Sequence, residues 1–379
     1  MLIKNCRLIS PDVDIDNAAV LVKGELIAAV YANGETLPQD DKVVDAKGNM
    51  VVPGFIDIHF HGRSGFDFTD AKQEGMDTIG VDKLKEGVTS ILPTTLTLPE
   101  DKLVPAMKTA ADYTRRGVKG AKIAGVHLEG PFINAKCCGA QNPAFVRKPN
   151  IDEVKRLNAI SKVAKVSFAI EVEGGTAFVR ELLAAGITPS CVHSSATYGD
   201  FKKAQSLGLR NLTHFCNQMT ALHHRDIGLV GAGLLHEEIY AELICDKMHI
   251  SPDMIKLVFK VKGPEKILLI TDAMCAAGLK DGNYDLAGLP VVVKDGAARL
   301  ASNGALAGST LLYYQGLKNI HEITGLPLKE LIKTTSWNQA RALGLQRLGK
   351  IEPGYIADIL ILKKDFSPEK VFVDGEPRM

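Results

Sequence analysis

Eight apolar stretches of strand length run through the middle of this 379-residue chain, with helical patterns between them. The stretches lie at 51–58, 88–92, 122–127, 166–172, 187–192, 212–215, 240–245 and 267–271. Helical spacing of apolar residues is clearest at 76–86, 99–116, 151–164, 177–185 and 252–262. Strands buried on both faces read as continuous apolar runs, and their alternation with helices predicts a parallel (β/α)8 TIM-like barrel in the α/β class. An open doubly wound sheet is the competing architecture, but no G-x-G-x-x-G turn follows the first strand. Both ends of the chain read differently. Short strands at 2–9, 18–23, 25–30, 357–362 and 371–373 are separated by turns such as Asn33-Gly34 and Lys47-Gly48. The termini are therefore expected to meet in one small β domain, built from 1–52 and 347–379, beside a barrel spanning 53–346.

Lys and Arg total 45 against 44 Asp and Glu, a balance that argues against nucleic acid or an anionic membrane as the main partner. The N-terminal run Met1-Leu2-Ile3-Lys4-Asn5-Cys6-Arg7 lacks a signal-peptide pattern, and no apolar run approaches the ~20 residues that cross a bilayer. Seven cysteines, an odd number without a disulfide-like framework, fit a reducing cytoplasm. Adjacent Cys137 and Cys138 have the wrong spacing for a C-x-x-C metal site and read as incidental loop thiols, open to oxidation.

The chemistry gathers at strand ends. The first barrel run stops in His59-Phe60-His61, and on a strand these two imidazoles share a face. Glu129 follows the third strand, His193 the fifth and Asp272 the eighth, while His214 falls in the sixth. Taken singly, Glu129 reads as a helix cap, His214 as a core histidine and Asp272 as a turn former. Six such residues at the same ends of five strands point instead to one metal centre at the barrel mouth.

The order His-x-His, acid, His, His, Asp resembles the amidohydrolase superfamily of metal-dependent hydrolases. The segment Leu348-Gly349-Lys350-Ile351-Glu352-Pro353-Gly354, running on to Asp358, resembles the superfamily's return to a small β-sandwich. Within that superfamily the whole chain resembles the N-acetylglucosamine-6-phosphate deacetylases. The matching runs include 53–57, 127–132, 213–219, 223–225, 246–249, 271–274 and 306–309. Glu129 stands where dihydroorotase-like relatives usually place a lysine.

That resemblance implies a divalent ion, zinc or iron, on Glu129, His193 and His214. It implies a second ion on His59 and His61, with Glu129 shared and Asp272 adjacent as the proton-transferring catalytic acid. Asn217 and the backbone of Gln218 are implied to approach a sugar phosphate, Arg225 to pair with it, and His249 to bind sugar or phosphate. Leu306, Ala307 and Gly308 would form a loop over the ligand, with Ala140 and Gln141 in a second loop. Many relatives carry histidine at the position of Gln141, whose neutral amide can still donate to a developing oxyanion. The equivalent of Arg225 can come from a neighbouring subunit, which implies a homodimer. The galactosamine-6-phosphate epimer, a cyclic-amide hydrolase, a nucleobase deaminase and a catalytically silent scaffold are the competing readings. The silent scaffold is disfavoured because all six ligand positions are filled.

Overall fold

The computed structural model describes all 379 residues, and its centre is a ring of eight parallel strands. We number them β1 (Phe55–Phe60), β2 (Val88–Thr95), β3 (Val126–Glu129), β4 (Val163–Phe168), β5 (Thr188–Cys191), β6 (Asn211–Leu212), β7 (Tyr240–Ile244) and β8 (Ile267–Ile270). Ladders join each strand to the next from β1 through β8. The seam between β8 and β1 has no ladder. It is closed just beyond β8, where Asp272 N donates to His59 O at 2.9 Å and His61 N to Ala273 O at 2.8 Å. Below this seam the buried Asp57 carboxylate accepts from Thr271 Oγ1 at 2.6 Å and pairs with Lys83 at 2.8 Å.

Eight helices follow the strands: α1 (Gln73–Leu84), α2 (Glu100–Arg116), α3 (Ile151–Ile160), α4 (Gly175–Ala184), α5 (Tyr198–Ser206), α6 (Gly228–Leu235), α7 (Pro252–Lys262) and α8 (Tyr313–Thr324). Their starts are written locally. Asn150 accepts from the first-turn N–H groups of α3, Thr197 and Asp200 form a capping box on α5, and Ser251 caps α7 ahead of Pro252. Strand residues such as Ile91, Leu128 and Val166 pack with Leu103, Leu157 and Leu182 of the helices in one continuous buried cluster.

The termini join in a separate eight-stranded sheet. Its order places the C-terminal strands Pro368–Val373 and Ile359–Leu362 beside Met50–Pro53, followed by Leu2–Ser10, Val13–Lys23 and Leu26–Tyr31. It has its own core, including Ile3, Leu8, Val20, Val51, Ile359 and Phe372. No helix is long and apolar enough to cross a membrane.

Two expectations need correction, and one element was not foreseen. The run 51–58 is not one strand, because Met50–Pro53 belongs to the terminal sheet and β1 begins at Phe55. Gly54 makes the crossing possible, since a Cβ there would lie 2.2 Å from Thr89 Oγ1. Helix 151–164 stops at Ile160, and the fourth strand starts at Val163 rather than at 166. The β-branched residues at 163 and 166 are buried in the ring, and tertiary burial outweighs the helical spacing there. Finally, an antiparallel three-stranded sheet, unanticipated in the sequence, stands between β8 and α8 at Gly282–Leu286, Leu289–Lys294 and Ala297–Leu300. Its two-residue turns, Ala287-Gly288 and Asp295-Gly296, have φ of 49°, 87°, 51° and 75°. Positive φ at both turn positions is the geometry that matches strand twist, and Asp-Gly was its signal.

Candidate metal centre and substrate cavity

Three of the expected ligands share a local device. His193, His214 and Asp272 each sit two residues beyond the last residue of β5, β6 and β8. All three have left-handed backbones, with φ of 44°, 32° and 50°. Non-glycine residues pay about 1–3 kcal/mol for strained conformations of this kind, which persist where the surroundings impose them. The reversal turns each side chain inward over the barrel mouth. The placement of His214 corrects the sequence expectation, because β6 ends at Leu212 and this histidine lies in the turn after it.

Glu129 is the hub. Its Oε1 lies 3.1 Å from His214 Nε2 and 3.3 Å from His193 Nε2. Its Oε2 lies 3.2 Å from His61 Nε2 and 3.6 Å from His59 Nε2. Asp272 Oδ1 is 3.3 Å from Nε2 of both His59 and His61. The six side chains are buried, and they make two overlapping groups around the two oxygens of one carboxylate.

Three imidazoles are turned by oxygen atoms on their far side. His193 Nδ1 donates to Cys137 O at 2.7 Å, His61 Nδ1 to Thr94 O at 3.3 Å, and His59 Nδ1 to Glu242 Oε2 at 3.4 Å. Each proton held on Nδ1 leaves Nε2 directed to the centre, the arrangement that orients metal-ligating histidines. Glu242 is itself paired with buried Lys165. Burial opposes the charge on Glu242, yet Lys165 and His59 hold its carboxyl below the usual range.

These residues fit a divalent cation. His193 Nε2 and His214 Nε2 lie 3.3 Å apart, a poor arrangement for two imidazoles unless something electropositive stands between them. Ligands ~2.0–2.1 Å from a tetrahedral zinc lie about 3.4 Å from one another. His59 Nε2 and Asp272 Oδ1 have no hydrogen-bond partner although both are buried. Without a cation the charges compensate through protons. Burial disfavours imidazolium at His59, but Glu129 and Asp272 raise its pKa to about 9. Burial likewise opposes ionisation of Glu129, and the surrounding imidazoles still hold it well below the usual carboxylate range.

His61, Glu129, His193, His214 and Asp272 of the centre line a cavity of about 330 Å³, within the ~300–1,000 Å³ of small-molecule sites. Of the expected substrate residues, Ala140, Gln141, Asn217, Gln218, His249, Leu306 and Gly308 line it. Ala307 lies behind the wall, fully buried, with its N–H donating to Ala298 O at 3.0 Å. Gly308 has φ of 60°, and a Cβ there would come within 2.9 Å of Asp272 O. Gln141 is tied into the centre, its Nε2 donating to Glu129 Oε2 at 2.8 Å and its Oε1 accepting from Thr97 N at 2.7 Å. One of its two amide hydrogens is thereby committed to Glu129. His249 Nδ1 lies 2.7 Å from Asp246 Oδ2; burial opposes its charge, and Asp246 outweighs burial to raise its pKa.

Arg225 is not brought to the cavity within this chain. It is exposed, makes no ion pair with Asp226, and its Nη1 contacts His224 Nε2 at 2.8 Å. Sequence reasoning missed Leu96, Leu286 and Arg299 in the wall, and Glu242 and Lys165 beneath His59. Glu242 carried a signal, being a charge inside the apolar run 240–245, whereas Lys165 falls just before the run expected at 166–172. Cys137 contributes its carbonyl to His193, and its thiol, like that of Cys138, is pushed up by partial burial.

A parallel barrel with a buried His/Glu/Asp centre at the C-terminal mouth defines a class of metal-dependent hydrolases, and sequence comparison agrees. The profile of the Amidohydrolase family matches residues 50–378, and the chain belongs to that family. It is 36% identical over 381 residues to an N-acetylglucosamine-6-phosphate deacetylase of Lysinibacillus sphaericus, covering 100% of this chain and 98% of the relative. It is 35% identical to an N-acetylgalactosamine-6-phosphate deacetylase of Escherichia coli O157:H7, covering 98% and 97% of the two chains. Among solved structures, an N-acetylglucosamine-6-phosphate deacetylase of Thermotoga maritima superposes with a TM-score of 0.91 at 35% identity, covering 100% and 99%. A point variant of the Mycobacterium smegmatis deacetylase, in complex with N-acetyl-D-glucosamine-6-phosphate, gives 0.93 at 29% identity, also over 100% and 99%.

Proposed function

We propose that the protein removes the acetyl group of N-acetylglucosamine-6-phosphate, giving glucosamine-6-phosphate and acetate. The observation that carries this reading is the split of the Glu129 carboxylate between two histidine pairs, with Asp272 beside one pair and a substrate-sized cavity opening onto both. Glu129, His193 and His214 would hold one divalent ion, and His59, His61 and Glu129 a second; zinc and iron both suit imidazole and carboxylate. When bound, such an ion lowers the pKa of water from 15.7 towards about 7 and polarises a carbonyl oxygen.

The chain's own groups do the rest. Asp272, its backbone N–H held by His59 O at 2.9 Å, is fixed where its carboxylate can take the proton of the attacking water. The same oxygen then returns that proton to the nitrogen as the C–N bond breaks, because an unprotonated amine leaves poorly. The remaining amide hydrogen of Gln141 is available to the developing oxyanion, a contact worth ~3 kcal/mol in comparable sites. Asn217, Gln218 and His249 line the same cavity and are assigned to the sugar and its phosphate.

Arg225 is assigned to the phosphate of a neighbouring subunit's site in a homodimer. The terminal sheet is read as the small β-sandwich domain of 1–52 and 347–379. A cytoplasmic location suits seven cysteines, all of them unpaired. The galactosamine epimer is kept as a second reading because relatives named for each sugar match almost equally well.

Acetate release from both 6-phosphosugar epimers, measured with and without a chelator, tests the reading. Turnover of the glucosamine epimer that chelation abolishes and zinc or iron restores is the expected result. Turnover indifferent to chelation removes the metal mechanism, and preference for the other epimer replaces the substrate.

A further inference from the structure

Arg299 supplies the one lysine or arginine side chain in the cavity wall. It stands on Ala297–Leu300, the last strand of the sheet inserted after β8, and it has no carboxylate partner within 4.0 Å. Its side chain donates from Nη1 to Gly304 O at 2.9 Å, which leaves most of its five N–H donors free.

The strand is held in register with the ligand loop. Arg299 and Leu306 form an antiparallel bridge, flanked by Ala307 N to Ala298 O at 3.0 Å and Leu300 N to Ala305 O at 2.8 Å. Two residues on, Ser309 N donates to Asp272 O at 2.7 Å. One short backbone path thus joins the guanidinium's strand to the catalytic carboxylate. The cavity wall carries two carboxylates, Glu129 and Asp272, and Arg299 is its one permanent cation. The charge of Arg299 also reaches His249, lowering its proton affinity against the larger pull of Asp246.

We propose that Arg299 binds the 6-phosphate of the sugar, as an in-chain guanidinium built into the same wall as the metal ligands. The proposal rests on the deacetylase reading above and assigns a residue that the sequence resemblance did not mark. A planar fork making charge-assisted hydrogen bonds to phosphate oxygens suits a dianion. Arg225 needs an assembled neighbour to reach the site; Arg299 does not.

The test compares metal-loaded wild-type protein with Arg299→Ala and Arg299→Lys on N-acetylglucosamine-6-phosphate and on unphosphorylated N-acetylglucosamine. Loss of a charge-assisted contact predicts that the ratio of the two kcat/KM values falls about 10- to 100-fold in the alanine variant. The lysine variant, keeping the charge without the fork, should fall between. Calorimetric titration with glucosamine-6-phosphate should show the same order of weakening, and it reads the contact without turnover. An unchanged ratio with unchanged product affinity overturns the role of Arg299. A loss shared equally by both sugars assigns it to bracing the Gly304 loop instead, and also overturns it. Wild-type protein that releases no acetate from either sugar fails the deacetylase reading, while the titration still decides whether Arg299 holds the phosphate.

Discussion

Glu242 shows how much of this centre depends on groups that never face the cavity. Its carboxylate accepts from His59 Nδ1 at 3.4 Å and is held by Lys165, both in the barrel interior. Removing its charge should let the His59 ring lose its preferred tautomer and orientation. Glu242→Gln is therefore expected to lower metal affinity about 10- to 100-fold, read as metal content after dialysis against a graded chelator. Full retention of both metal and affinity would show that His59 is oriented by packing alone. Asp272→Asn separates proton transfer from metal holding. Its kcat should fall by roughly 10²–10⁴, while Glu129, His193 and His214 still bind an ion. The members of this buried cluster were legible in the sequence because histidines and acids at the ends of apolar strands have few other reasons to recur. The supporting groups were less so: Glu242 stood out only as a charge inside a strand run, and nothing local says that it faces His59 or that Lys165 neutralises it.

At the scale of elements, the turns after the strands decide the site. Left-handed residues at 193, 214 and 272 bend the chain back across the barrel mouth, and the loop at 306–309 is pinned to Asp272. Gly308→Ala should cut kcat/KM with little change in metal content, because the new Cβ would meet Asp272 O at 2.9 Å and displace the carboxylate to which proton transfer is assigned. Gly54→Ala acts elsewhere, driving a methyl into Thr89 at the junction of terminal sheet and barrel. Overpacking of this kind costs about 1–3 kcal/mol, measurable as a lower denaturation midpoint with an unchanged metal ligand set. Of the elements, β1 to β8, α1 to α4 and α7 were readable from apolar runs and helical spacing, with bounds shifted by a few residues at α1 and α3. Helix α6, Gly-Leu-Val-Gly-Ala-Gly-Leu-Leu, was not: it is apolar on nearly every side and rich in glycine, so it carries no amphipathic signal. The inserted sheet between β8 and α8 had its Asp-Gly turn in plain view, but its short strands lack the long apolar runs of the barrel.

For the whole molecule, a cation and protons would compete for one buried centre. His59, raised to about 9 by Glu129 and Asp272 against the opposing effect of burial, carries a proton at neutral pH in metal-free protein. Cation binding must expel it, so the apparent zinc affinity should weaken as pH falls below about 9, by about tenfold per unit for each proton displaced. Competition with a chromophoric chelator across that range measures the slope, and a flat profile would mean that the ligands are already deprotonated. By the same linkage, chelation should lower the thermal midpoint and readdition of metal restore it. The residue types, their order along the chain and the alternation that makes a barrel were determined by the sequence itself, because hydrophobic periodicity and ligand chemistry are local properties. Only the tertiary structure decided that Glu129 divides its two oxygens between two histidine pairs, that Arg225 stays outside the chain's own cavity and that Arg299 enters it. Those outcomes depend on where strands distant in sequence finish relative to one another. Closure of the ring sets that geometry, and no short stretch of residues encodes it.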